Sequence, residues 1–255
     1  MEHIASRENE KIKYAKRLAT SAAFRAEEGL FFAEGRRLCF DLAETCAPTV
    51  AFVTAAFLKG CPQAASLAPQ VFIISQPVDD KLSETKTPQG VYCLFKTPAT
   101  SIEDLNPEAG ILLCEDLQNP ANVGAVLRSA AAFGFGGVVL AGSSADAYSP
   151  KALRASMGGV GRIPVLTSAA LAPVAQALHK KGVTIYAAAL EGGTPLPAEP
   201  LQKPFALLIG NEGAGLSPVA LSLADKRVYI PMQNGMESLN AAVAASVLMF
   251  HFAEK

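Results

Sequence analysis

The chain has only three histidines among 255 residues, and His3, His179 and His251 stand far apart in sequence. No metal-ligand cluster is therefore expected. The five cysteines, Cys39, Cys46, Cys61, Cys93 and Cys114, form no CxxC pair and are odd in number. They read as reduced thiols in the core of a cytoplasmic protein, not as a disulfide framework. No apolar run reaches the ~18 residues of a membrane span. The longest candidate, residues 241–252, suits a buried helix. The N-terminal stretch is highly charged and lacks the apolar centre of a signal peptide. An excess of either charge is also missing: 22 basic residues face 23 acidic ones, for a net charge of -1. Global charge thus gives no support for nucleic-acid binding, and any RNA contact must come from local basic clusters. There is no internal repeat and no low-complexity tract.

What is present is apolar patterning. Half the residues are hydrophobic and 18% are charged, which predicts a packed core. The first part, residues 1–96, reads as a small α/β domain. Residues 6–20 form a helix with Ile12, Ala15, Leu18 and Ala19 on one face. Strands are expected at residues 30–33, 49–53, 71–75 and 91–95, with a helix from Gly35 to Cys46. Residues 97–110, rich in Pro, Ser, Thr and acidic side chains, read as a linker. In residues 111–255 strands are expected at 111–115, 137–140, 183–188, 205–209 and 227–230. Helices are expected at 122–133, 150–157, 169–181, 218–224 and 238–252. Apolar strands alternating with helices predict a mostly parallel sheet covered on both faces. Such sheets bind ligands beyond the carboxyl ends of their strands.

Three loops fall at such ends. The first, Asn119-Pro-Ala-Asn122-Val-Gly124, follows the strand at 111–115 and leads to Arg128, six residues after Asn122. Asn122 is placed to cap the following helix, and Gly124 permits close backbone approach. The second, Ile209-Gly210-Asn-Glu212-Gly-Ala-Gly-Leu-Ser217, is a glycine-rich turn with Ser217 placed to cap the helix expected from Pro218. Its spacing is GxxGxG, not the dinucleotide fingerprint GxGxxG, and it lacks the Gly-Lys-Ser/Thr of a phosphate-binding P-loop. The third runs from Ile230 through Met232 and Gly235 to Ser238-Leu239-Asn240. There Ser238 is placed to cap a helix with Asn240 in its first turn. That helix is apolar nearly all round, so burial on more than one side is expected, in a domain core or a subunit interface. Taken singly, each loop also has an ordinary explanation as a capped strand-to-helix turn.

Together, NPANVGAVLRSAAAFG, LLIGNEGAGLSP and IPMQNGMESLNAAVAASVL resemble the three motifs of the SpoU family of RNA 2′-O-ribose methyltransferases, within the SPOUT superfamily. The segment SRENEKIKYAKRL…GLFFAEGRRL is similar to the small substrate-binding α/β domain that many members carry. The resemblance implies a catalytic domain whose C-terminal segment forms a trefoil knot, a rare exception to chain-threading rules. It implies S-adenosylmethionine as cofactor, a homodimer, and structured RNA, ribosomal RNA before transfer RNA, as substrate. By the same resemblance, Ile209, Gly210, Ile230, Met232, Ser238 and Leu239 would bind the cofactor, with Leu140, Ala141 and Gly142 as further candidates. Asn122, Glu212, Ser238 and Asn240 would shape the active site, and Arg128 would act on the reacting hydroxyl.

Arginine is normally protonated, with a pKa above about 12. Arg128 could therefore anchor a phosphate and stabilise the developing alkoxide, or act as a base after a substrate phosphate takes its proton. Candidate phosphate contacts are Lys11, Lys13, Lys16, Arg17, Arg25, Arg36 and Arg37, and in the second part Lys151, Arg154 and Arg162. Three other readings stay open at this point: a non-catalytic RNA-binding protein of the same fold, a nucleotide-binding oxidoreductase, and a base methyltransferase.

Overall fold

The computed structural model describes residues 1–196, 201–236 and 238–253. Residues 1–99 together with 148–154 make one compact unit, and the chain from Thr100 otherwise makes a second.

The first unit holds strands β1 (Glu2–Ile4), β2 (Leu30–Glu34), β3 (Pro48–Thr54), β4 (Gln70–Ile74) and β5 (Val91–Lys96). They form one sheet in the order β1-β4-β3-β5-β2. Neighbours β1, β4 and β3 are parallel, and β5 is antiparallel to both β3 and β2. Its helices are α1 (Glu10–Thr20), α2 (Ala22–Glu28), α3 (Arg36–Ala43), α4 (Ala55–Gly60) and α5 (Gln76–Leu82). The Asn9 side chain caps α1 by accepting from Lys11 N. Ile12, Ala15, Leu18 and Ala19 are buried, as their spacing predicts, and pack with Phe32, Phe52, Phe72 and Tyr92 from the strands.

The second unit holds β6 (Ile111–Glu115), β7 (Val138–Ala141), β8 (Val165–Ser168), β9 (Thr184–Ala188), β10 (Thr194–Pro195), β11 (Phe205–Ile209) and β12 (Lys226–Tyr229). All pairings are parallel, in the order β10-β12-β9-β11-β6-β7-β8. The helices are α6 (Pro120–Ala132), α8 (Leu171–Lys180), α9 (Pro218–Ser222) and α10 (Ala241–Ala253), while most of α7 (Pro150–Ser156) belongs to the first unit. Alternation along each strand sends side chains to opposite faces. Ile111, Leu113, Val139, Ile185, Ala206 and Leu208 meet Leu171, Val174 and Leu178 of α8 and Ala220 of α9. On the other face Phe252 of α10 packs against Phe205 at 5.4 Å and Tyr186 at 5.0 Å between ring centroids. Both faces are covered, so β6, β7 and β11 are buried runs of apolar residues.

Residues 100–110 pack on this second unit. Ser101 and Asp104 form a reciprocal cap, Leu105 enters the core, and Asn106 N donates to Gly136 O. All five cysteines are buried and free. Among the described residues no helix is long and apolar enough to cross a membrane.

Candidate active site at the strand ends

The first loop starts α6 earlier than the sequence alone suggests. Asn119 is the cap, accepting from Ala121 N, and Pro120 occupies the first helical position. Proline fits there because its fixed φ is pre-set for the helix and its missing N–H would be unpaired anyway. The expectation that Asn122 caps this helix is therefore corrected: Asn122 lies inside the first turn and is buried. Its amide is free to cross-link loops instead.

It does so in both directions. Asn122 Nδ2 donates to Glu212 Oε1 at 2.8 Å, and Asn122 Oδ1 accepts from Asn240 Nδ2 at 3.2 Å. Asn240 Oδ1 in turn accepts from Ala242 N at 3.0 Å and Val243 N at 3.3 Å. Asn240 is thus the cap of α10, which begins at Ala241; neither Ser238 as cap nor Asn240 within the first turn holds. The SLN segment supplies two residues able to cap, and the one adjacent to the helix takes the role. Ser238 and Leu239 are exposed on the approach to it.

The second loop is built to hold Glu212 against α6. Asn211 and Gly215 exchange backbone hydrogen bonds at 2.9 and 3.0 Å. Asn211 Oδ1 accepts from Gly213 N and Ala214 N, while Asn211 Nδ2 donates to Asp116 O. A Cβ on Gly210 would stand 2.3 Å from Gly215 C, so only glycine lets this turn close. Ser217 caps α9 as expected, accepting from Ala220 N, and its own N and Oγ donate to the Glu115 carboxylate at 2.8 and 2.7 Å. Asn119, Asn211 and Glu115 were not singled out from the sequence. For Asn119 the signal was there, an asparagine directly before proline; Asn211 and Glu115 act through partners 95 and 102 residues away.

Burial raises the Glu212 pKa, but hydrogen bonds from Asn122 and from nearby main-chain N–H groups outweigh it and hold the carboxyl below its ordinary value. Glu212 also receives Asn119 N at 3.3 Å, which puts the negative charge at the amino end of α6, where the helix dipole favours it.

Sheet order decides which strand ends are neighbours. β9 lies between β11 and β12. The ends of β11 at Ile209–Gly210, of β9 at Ala188, and of β12 just before Ile230 are therefore neighbours. Leu190 beyond β9 is 71% exposed, and Met236 and Leu239 on the loop leaving β12 are 62% and 38% exposed. A Cβ on Gly193 would stand 2.4 Å from Ala189 O, so the chain beyond β9 also runs close to itself. Exposed apolar side chains beside these strand ends fit the flat apolar base of an adenosyl group.

Leu140, Ala141 and Gly142 are not brought to this place. They end β7, and β6 separates β7 from β11. Ala141 and Gly142 instead line a cavity of about 180 Å³ with Glu115, Asp116, Leu171 and Val219.

Arg128 stands exposed farther along α6 and makes no ion pair among the described residues. Next to it, the Ser129 and Ser246 hydroxyls share a hydrogen bond of 2.8 Å, joining α6 to α10. No group of His, Cys, Asp and Glu able to hold a metal occurs among the described residues.

Comparison with known proteins agrees with this architecture. Residues 110–250 match the SpoU rRNA Methylase family, and residues 9–93 match the MRM3-like substrate binding domain. The 23S rRNA (guanosine(2553)-2′-O)-methyltransferase RlmP of Bacillus subtilis is 33% identical over 98% of this chain and 99% of its own length. The human mitochondrial rRNA methyltransferase 3 is 30% identical over 91% of this chain and 69% of its own. Among solved structures, the AdoMet-bound rRNA methyltransferase from Sinorhizobium meliloti superposes with a TM-score of 0.89 at 25% identity, covering 99% of this chain and 97% of that one. The methyltransferase AviRb from Streptomyces viridochromogenes, in complex with AdoMet, gives 0.88 at 25% identity over 97% and 98%. The sheet, the three joined loops and these matches together place this chain in the SpoU rRNA methylase family.

Proposed function

We propose that the protein transfers a methyl group from S-adenosylmethionine to a ribose 2′-hydroxyl of ribosomal RNA. The observation that carries this reading is the Glu212–Asn122–Asn240 relay, which joins all three family motifs at the strand ends. S-adenosylmethionine supplies the electrophilic methyl of a sulfonium, and the reaction is an in-line displacement by the 2′-oxygen. Main chain at Gly210 and Ile230, the Leu239 region, and the turn after β9 would hold the adenosyl group. Met232 and Ser238 lie on the same loop. Asn122, Glu212 and Asn240 would hold the three loops in register around the reacting groups. The exposed guanidinium of Arg128 is free to meet an RNA phosphate and the developing alkoxide.

The first unit, residues 1–96 in this reading, would bind the RNA. Its charges narrow the surface. Lys11, Lys13 and Lys16 each lie within 4 Å of a carboxylate, from Glu2, Glu8 and Glu10, and Glu84 respectively. Arg25 is buried and donates to Leu18 O and Ala19 O at the end of α1, so it is a structural cation and not a phosphate contact. Arg17 stacks on the Phe24 ring at 3.9 Å. Arg36 and Arg37, exposed at the start of α3, remain the better placed pair, although Asp41 lies 3.6 Å from Arg37. In the later segment Lys151 is exposed, and Arg154 Nη1 is buried without a hydrogen-bond partner among the described residues.

A homodimer is the assembly this reading expects. The burial of α10 on more than one side is not complete in the single chain. Val243, Val247 and Phe250 form a stripe 49%, 38% and 49% exposed, with the Phe250 ring 5.7 Å from that of Phe133. A contiguous apolar stripe on an exposed helix supports a partner subunit. The threaded C-terminus belongs to the same reading, supported by the reach of Asn240 back to Asn122 across 118 residues. A cytoplasmic location is part of this reading, supported by the likeness to the Bacillus subtilis 23S rRNA enzyme.

The test is methyl transfer from labelled S-adenosylmethionine to unmodified large-subunit ribosomal RNA and to transfer RNA, followed by nucleoside analysis. A 2′-O-methylnucleoside in ribosomal RNA is expected. Label in a base, or in transfer RNA alone, would overturn the substrate assignment. Arg128→Ala is expected to lower turnover by at least about 100-fold while leaving cofactor affinity within about twofold.

A further inference from the structure

The side chain of Arg128 is exposed, yet its backbone is held from two directions. After α7 the chain reverses through two consecutive left-handed residues, Met157 at φ 49° and Gly158 at φ 82°. A non-glycine residue rarely adopts that conformation, and it persists only where the surroundings demand it. The reversal delivers a short 3₁₀ turn, Gly159–Gly161, against α6. Gly159 is buried there. A Cβ on it would lie 2.9 Å from Arg128 Cα, 3.1 Å from Leu127 O and 3.2 Å from Arg128 N. Gly159 is not among the left-handed glycines, so space and not torsion requires glycine at this position. The obstructing atoms are helix backbone, which cannot swing aside as a side-chain tip can. One residue on, the Ser129 hydroxyl pairs with Ser246 of α10. Ser246 Oγ also donates to Ala242 O at 2.7 Å, within the first turn of the helix that Asn240 caps.

We propose that Gly159 and the Ser129–Ser246 pair are positioning residues for Arg128, fixing the backbone from which its guanidinium reaches the substrate. The inference rests on the reading that Arg128 acts at the reacting hydroxyl. Arginine has a long flexible stem, so its reach is set by where its Cα stands. A misplacement of about 1 Å can cost on the order of 100-fold in rate. Neither clamp belongs to the strand-end turns that would hold the adenosyl group, so cofactor affinity is expected to change little when either is altered.

The experiment uses the full chain and an unmodified large-subunit ribosomal RNA transcript that the wild type methylates. It measures kcat and KM at 25 °C, cofactor affinity by calorimetry, and RNA affinity by filter binding. Gly159→Ala is expected to lower kcat about 10- to 100-fold, with both affinities within about twofold. Ser129→Ala, which leaves Ser246 bonded to Ala242 and the fold intact, is expected to lower kcat about threefold in the same manner. A purely structural role would lower Tm and leave kcat at 25 °C unchanged, which would overturn the proposal. So would a loss of activity that tracks loss of cofactor or RNA affinity. Should Gly159→Ala fail to fold, Ser129→Ala decides, and a kcat within a factor of about 1.5 of wild type rejects the positioning role. Arg128→Ala runs alongside. If it is inactive while both clamp variants are normal, only the clamp is wrong; if it turns over normally, the assignment of Arg128 itself falls.

Discussion

Asn122 can serve both partners in one orientation only. Its Nδ2 must face Glu212, an acceptor, and its Oδ1 must face the Asn240 amide, a donor. Asn240 then turns its own oxygen to the first amides of α10. The direction of this chain starts from the charge on Glu212. Asn122→Asp preserves shape but sets two carboxylates face to face. A Tm loss of roughly 2–4 °C and a kcat loss of at least about tenfold are expected, by thermal melting and steady-state assay. Recovery of activity in Asn122→Asp/Glu212→Gln would show that like charge, and not lost packing, is the cause. The relay is also acid-sensitive. The Glu212 carboxyl is held below its ordinary 4.5 in the folded chain. Its contribution to stability is therefore complete above about pH 4.5 and fades as pH falls through the lower folded value. The Tm difference between wild type and Glu212→Gln should be constant at neutral pH and shrink below about pH 4. A difference that instead grows in acid would contradict the ionised-acceptor assignment.

At the scale of elements, the central strands of the second sheet are legible as continuous apolar runs. The runs ILLC, VVLA and FALLI in β6, β7 and β11 carry continuous apolar character because helices cover both sides of the sheet. The strands not anticipated, β1, β8 and β10, are all sheet edges. Each is short and partly exposed, so none needs an apolar run, and backbone pairing alone defines it. Helix α10 shows the converse. Its sequence is apolar all round, but the single chain buries only Ala241, Ala242, Ala245, Leu248, Met249 and Phe252. The remaining stripe is the expected dimer surface. Val247→Glu with Phe250→Glu should convert a dimer to a monomer in sedimentation at micromolar concentration. A wild-type chain that already sediments as a monomer there would remove the assembly from the proposal.

For the whole molecule, the two units carry separate sheets and separate cores. The relay and the strand ends lie in the second unit, and the cation candidates at α1 and α3 in the first. A chain lacking residues 1–96 is accordingly expected to bind S-adenosylmethionine within about threefold of the full protein and to lose most affinity for ribosomal RNA. Calorimetry and filter binding at fixed salt measure the two. RNA affinity unchanged by the deletion would reassign substrate recognition to the second unit.

The apolar alternation determined the α/β class, and the order of three motifs identified the family. Those features are local, because burial and turn chemistry write themselves into neighbouring residues. Which asparagine caps and which one bridges was decided by tertiary structure: Asn119 and Asn240 cap, while Asn122 is held between partners 90 and 118 residues away. Strand order likewise placed β9, and not β7, beside β11 and β12. Pairing across a sheet depends on which chain segments meet in space. The fit of Gly159 against the backbone of Arg128 depends on the same thing: a glycine's need for room is visible only when its neighbour is in place.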